Sequence, residues 1–223
     1  MKNKIFSTML IGLLASPLIQ VEAADSVDPD PAVSTGEVTF TGDSTTITPP
    51  VDPTDPDIVD PDPENPGTGN YGPLSIDFVS NLNFATVEIK GVETSYYATN
   101  KNPHIQVTDT RGTDEGWRLT AQMSKFLAED DSELIGSTLS LLNGDIRTQS
   151  NNISAPPLGN KGINLIPDGD VIEVMSGAAE SGRGTWVQVF AGTTDASLVV
   201  PGGAALAKTY TSTIDWQLAN TPD

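Results

Sequence analysis

Residues 116–123 read GWRLTAQM, with Trp117, Leu119 and Ala121 apolar and Arg118, Thr120 and Gln122 polar between them. Successive side chains on a strand point to opposite faces, so this alternation specifies a β-strand with one apolar face. The triplet Trp117-Arg118-Leu119 returns as Trp216-Gln217-Leu218 inside TYTSTIDWQL, residues 209–218. The 223 residues hold three tryptophans, so two in the same short pattern are the most specific feature of the chain. On either strand an indole and an isobutyl group stand side by side on one face. If two such strands pair or face each other, Trp117, Leu119, Trp216 and Leu218 form one apolar patch. Tyr210 lies on that face too if the alternation runs back from Trp216. Turned inward, the patch is core; turned outward, it is an aromatic surface of the kind that marks a binding site. Alternation alone is blind to which face is wet.

The same signal recurs on both sides of this stretch. Leu74, Ile76 and Phe78 alternate in GPLSIDFVS, Val87 and Ile89 in ATVEIKG, and Ile105 and Val107 in HIQVTD. The apolar runs 163–166 and 171–174 flank Pro167-Asp168-Gly169, a hairpin turn signal. Runs 186–190, 196–200 and 210–218 complete the series. In the first of these, Val187 and Val189 share one face while Trp186 and Phe190 share the other. Two apolar faces describe a central strand, with Trp186 in the core. Strands recurring every ten residues or so, with Gly, Asn and Asp between them, specify an all-β, β-sandwich-like single domain. Helical periodicity is weak everywhere; the best candidate is 124–135. The Asn-, Ser- and Pro-rich stretch 143–160 is expected to be a loop with room for a short strand inside it.

The N-terminus carries the marks of an export signal. Lys2 and Lys4 precede a mostly apolar run from Ile5 to Val21, and Val21-Glu22-Ala23 places cleavage after Ala23. The apolar run is short, broken by Ser16-Pro17 and followed by acidic residues, which speaks against a membrane anchor. Zero cysteines exclude a disulfide framework, a lipid-modified cysteine and thiolate metal ligation. Stability must therefore come from an ordinary core. The formal charge of −19 argues against nucleic acid and anionic lipid as partners. It also repels anionic wall polymers, so recognition of a wall would need specific contacts, bridging cations or local acidity.

Residues 24–70 are different material, with eleven acidic residues and no Lys or Arg. In PPVDPTDPDIVDPDPENPGTG, residues 49–69, proline removes backbone donors while neighbouring aspartates repel, which predicts an extended, solvated spacer. The regular proline spacing disfavours a calcium cage. Within this region Gly36-Glu37-Val38-Thr39-Phe40-Thr41 alternates and reads as a first strand, with Val38 and Phe40 on one face.

The two Trp-x-Leu triplets, with GPLSIDFVSNLNF (72–84), GTWVQVF (184–190) and LVVPGGAALAKTYTSTIDWQL (198–218), resemble the WxL domain of Gram-positive surface proteins. The resemblance covers most of the chain beyond the export signal. Its motif positions fall on Trp117, Leu119, Trp216 and Leu218, which it implies are the binding residues. It implies a domain over 34–223, interrupted by a disordered Pro/Asp spacer over 43–70 and preceded by an acidic tail over 24–33. The implied function is non-covalent attachment of a secreted, extracellular protein to peptidoglycan, and no LPxTG-type motif offers a covalent route. Other WxL-type surface proteins or host matrix are the alternative partners, for an assembly component or an adhesin. In one departure, Ala85 follows Phe84 where the resemblance calls for glycine.

Catalysis finds little support. His104 is the one histidine and sits beside no nucleophile motif. No HExxH-type spacing is present, and the carboxylates beyond residue 70 fall mostly in turns such as Asp114-Glu115-Gly116. The expectation is a binding module without metal or cofactor.

Overall fold

Period-two alternation becomes strand wherever a neighbouring segment pairs with it, and the computed structural model, which describes residues 31–60 and 65–220, contains no helix among those residues. Its twelve strands are β1 (Leu74–Val79), β2 (Thr94–Tyr97), β3 (His104–Asp109), β4 (Trp117–Met123), β5 (Thr138–Leu142) and β6 (Asp145–Thr148). They continue with β7 (Leu158–Gly159), β8 (Gly162–Leu165), β9 (Ile172–Gly177), β10 (Gly184–Val189), β11 (Ala196–Val200) and β12 (Ile214–Ala219). Three antiparallel sheets result, in the orders β1-β3-β10-β6, β2-β11-β5-β8 and β12-β4-β9-β7. All three feed one core. The first sheet contributes Ile76, Ile105 and Val107, the second Leu139, Leu141 and Ile163, and the third Trp117, Leu119 and Met175. The domain is all-β and sandwich-like, as the alternation predicts.

The chain divides into two compact units, Met1–Thr39 and Phe40–Asp223. The expected export signal and most of the acidic tail lie outside the described residues. Residues 31–39 carry no regular secondary structure. The expected strand over 36–41 is absent, with Val38 and Phe40 at 71% and 87% exposure. Alternation without a paired neighbour does not make a strand, because its backbone groups then bond to water.

Other expectations are corrected in the same way. Val87 and Ile89 lie in an irregular, half-exposed segment, and the strand that follows is β2. The turn at 167–169 exists, with the Gly169 N–H donating to the Ile166 carbonyl at 2.9 Å, but β8 and β9 do not form a hairpin. β8 pairs with β5 and β9 with β4, so the turn carries the chain from the second sheet to the third. Residues 124–135 form no helix; Leu127 bridges to Glu133 and to Thr211 instead. The expected loop over 143–160 holds two strands, β6 and β7.

The Pro/Asp-rich stretch is not wholly solvated. Residues 49–60 lie as a strap on the outer face of the first sheet. Val51 is 6% exposed and packs with Val187 and Val189. Gln106, fully buried on β3, accepts the Val51 N–H at 2.8 Å and donates to the Pro49 carbonyl at 3.0 Å. Arg147 donates to the Pro53 carbonyl at 3.1 Å. Under the strap, Asp77 accepts hydrogen bonds from Ser75, Thr108 and Gln106, while burial pushes its carboxyl above the usual range. The strap explains why β10 is apolar on both faces: Phe190 joins the core just beyond the strand, whereas Val187 and Val189 need the strap as cover.

Candidate functional site

The two Trp-x-Leu triplets lie on adjacent antiparallel strands. β12 pairs with β4 so that Leu218 stands opposite Leu119, Trp216 opposite Ala121 and Ala219 opposite Arg118. Directly opposed residues share a face, so Trp117, Leu119, Trp216 and Leu218 all point to the core side of the third sheet. Their depths differ. Trp117 and Leu119 are fully buried, while Trp216 and Leu218 are half-buried on the edge strand.

Trp117 is held by its surroundings. Its indole N–H donates to the Gly182 carbonyl at 3.0 Å. A Cβ on Gly182, whose φ is +73°, would fall 2.8 Å from the indole nitrogen. Gly116, immediately before the motif, has φ +74°, and a Cβ there would lie 2.5 Å from the Gly177 carbonyl oxygen. Glycine is required at both positions for this tryptophan to close the core.

Trp216 has a different neighbourhood. It lines an open groove of about 760 Å³ between the second and third sheets, with Phe84, Met123, Phe126, Leu206 and Tyr210 among the other lining residues. Tyr210 therefore joins Trp216, as the alternation predicts, although it precedes β12. Its hydroxyl accepts the Leu206 N–H at 3.1 Å and so ties the groove's wall to its rim. Polar groups come from Asn81, Asn83, Ser212 and Thr213. Among the described lining residues Glu88 and Lys208 are the charged ones, and both are paired, with Lys90 and Asp130. The Lys208 ammonium, helped by Ser132, holds the Asp130 carboxyl at about 2. A strongly acidic protein thus presents a groove of balanced charge. Leu218 instead faces a smaller cleft of about 370 Å³ with Tyr71, Leu74 and Ile76.

Of the four motif residues, the sheet brings all onto one face and delivers Trp216 to the groove. Sequence patterning overlooked Phe84, Phe126 and Leu206, which lie outside the strands and reach the groove from irregular segments. Phe84 and Leu206 lie in two of the stretches that carry the family resemblance, while Phe126 is signalled by composition, a large apolar side chain where a polar loop is the norm.

The groove's edge also accounts for the departure at position 85. Ala85 has φ +57°, with its N–H donating to the Asn83 side chain at 2.7 Å. A left-handed conformation costs an L-residue about 1–2 kcal/mol and glycine almost nothing, partly offset by glycine's greater freedom when unfolded. Ala85→Gly is therefore expected to stabilise the protein by about 0.5–1 kcal/mol, read as a higher urea midpoint at unchanged m-value. A lower midpoint would contradict the turn geometry.

A family model described as WxL domain, surface cell wall-binding, matches residues 28–222. No curated protein and no solved structure matches the chain.

Proposed function

The chain belongs to the WxL domain family of cell wall-binding surface domains, and we propose that it attaches to peptidoglycan through the groove walled by Trp216. The observation that carries this reading is the unequal depth of the two motifs. Trp117 and Leu119 are spent on the core, whereas Trp216, beside Tyr210 and Phe84, meets an open space large enough for a ligand. Indole and phenol faces suit the apolar faces of pyranose rings, and the Asn, Ser and Thr side chains on the lining suit hydroxyl and amide groups. The groove's charged pairs are closed, so binding works by contact rather than by bulk attraction and tolerates moderate salt. On this reading the protein is exported, lies outside the cell and is held non-covalently at the wall.

Co-sedimentation of residues 24–223 with protein-free peptidoglycan sacculi tests it. Wild type is expected to sediment at low and at moderate salt. Trp216→Ala, which removes a half-buried side chain from an edge strand, should stay folded and lose at least about tenfold in affinity. A folded Trp216→Ala protein that binds as wild type would remove the groove from the mechanism.

One observation favours a second reading. Val87, Ile89 and Leu206 at the groove's rim are each about half exposed, at 50%, 51% and 53%. An apolar rim suits an apolar protein segment, from another WxL-type surface protein or from host matrix. Wild type that ignores bare sacculi and binds once such a protein is supplied would replace peptidoglycan with that partner.

A further inference from the structure

We propose that Arg111 positions the second Trp-x-Leu strand for wall binding, a role that rests on the groove reading above. Arg111 lies in the connection between β3 and β4, and its side chain is 9% exposed. Its guanidinium meets the Asp109 carboxylate in two parallel bonds, Nε to Oδ1 at 3.0 Å and Nη2 to Oδ2 at 2.8 Å. Two further bonds reach backbone, and Nη1 also lies 3.9 Å from the Glu115 carboxylate. Nη2 donates to the Gly116 carbonyl at 2.6 Å, and Nη1 donates to the Asn220 carbonyl at 3.1 Å. Gly116 immediately precedes β4, and Asn220 immediately follows β12. One side chain therefore clips together the start of the first motif strand and the end of the second.

The position of this clip is what matters. Among the described residues β12 has β4 as its one sheet neighbour. At its other end the strand is stitched down by Ser124, whose N–H donates to the Thr213 carbonyl and whose hydroxyl accepts the Thr213 N–H, both at 2.9 Å. The end near Leu218 has Arg111. Asp109 belongs to β3, so the clip also ties the first sheet to the third. Both charges are nearly buried, the Asp109 side chain at 6%, which strengthens the pair and fixes the guanidinium plane. Lysine has one ammonium group and cannot hold a carboxylate in two bonds while reaching two carbonyls on different strands. Without the clip, β12 frays from its C-terminal end and Trp216 loses its fixed place at the groove.

Two variants test this. Arg111→Lys keeps the charge beside Asp109, and a chain ending at Ala219 removes the Asn220 carbonyl while leaving the Arg111–Asp109 pair intact. Hydrogen exchange is followed by mass spectrometry over residues 214–219 and, as an internal control of folding, over 184–189. Sedimentation with sacculi is run on the same samples. The expected result is at least about tenfold faster exchange over 214–219, unchanged exchange over 184–189, and a fall in wall affinity of about tenfold. If Arg111→Lys does not fold, the shortened chain gives the same reading without disturbing the buried pair. Unchanged exchange over 214–219 overturns the proposal, and so does faster exchange with wild-type affinity. Wild type that ignores sacculi is a different failure: it overturns the groove reading itself, whatever exchange shows.

Discussion

Trp117→Ala is expected to lower the unfolding free energy by about 3–5 kcal/mol, the range for deleting a large aromatic side chain from a closed core. Three features place it in that range. The side chain is fully buried in the cluster that all three sheets share. Its indole N–H is bonded to the Gly182 carbonyl, which would lose that donor inside the protein. Gly177 and Gly182 crowd the ring, and neither has a side chain that could move into the vacated space. The cavity would stay open, and cavities that cannot collapse are the costly ones. Urea unfolding followed by circular dichroism measures the loss. The contrast with Trp216→Ala is the decisive part. Trp117→Ala should abolish wall binding only as far as it unfolds the domain, whereas Trp216→Ala should cut binding in a protein that remains folded. A Trp117→Ala loss below about 1 kcal/mol would mean that the ring does not close the core as described.

Gln106→Ala should release the Pro/Asp strap and cost about 2–4 kcal/mol, since it strands several buried polar groups at once. The amide of Gln106 serves three partners: the Val51 N–H, the Pro49 carbonyl and the Asp77 carboxylate. Asp77 is 2% exposed, and losing a donor leaves its charge less well compensated where burial already disfavours it. Strap and sheet should therefore come apart, leaving Val51, Val187 and Val189 wet. Hydrogen exchange over residues 50–60 and over 184–189 reads this directly, and both should accelerate. If exchange over 50–60 stays slow, the packing of Val51 and the Arg147 bond hold the strap without Gln106.

Much of the fold is legible in the order of residues. GWRLTAQM, GPLSIDFVS and HIQVTD appear as β4, β1 and β3 within a residue or two of the alternation. The errors share one cause. Val87 and Ile89 alternate yet have no strand to pair with, and they end as rim of the groove. Residues 167–169 turn, as their composition demands, but the two flanking strands choose β5 and β4 rather than each other. Turn chemistry acts over three or four residues; partner choice is settled by the whole core.

The candidate site divides along the same line. The pairing of β12 with β4 put all four motif residues on one side. The pattern by itself determined that Trp117 and Leu119 share a face, and Trp216 and Leu218 likewise, because side-chain alternation is a property of any strand. It determined the all-β class, and zero cysteines left the core to hold the fold. Which of these residues stay dry was decided by tertiary structure alone. β4 lies inside its sheet and its motif is sealed by Gly177, Gly182 and the facing sheets, while β12 lies at the edge, where no further strand among the described residues completes the cover. The strap over the first sheet follows the same rule, for a segment whose composition reads as solvated is held down by a glutamine on a distant strand and by valines that needed a lid. Burial depends on what other parts of the chain lay over a surface, and no local repeat carries that information.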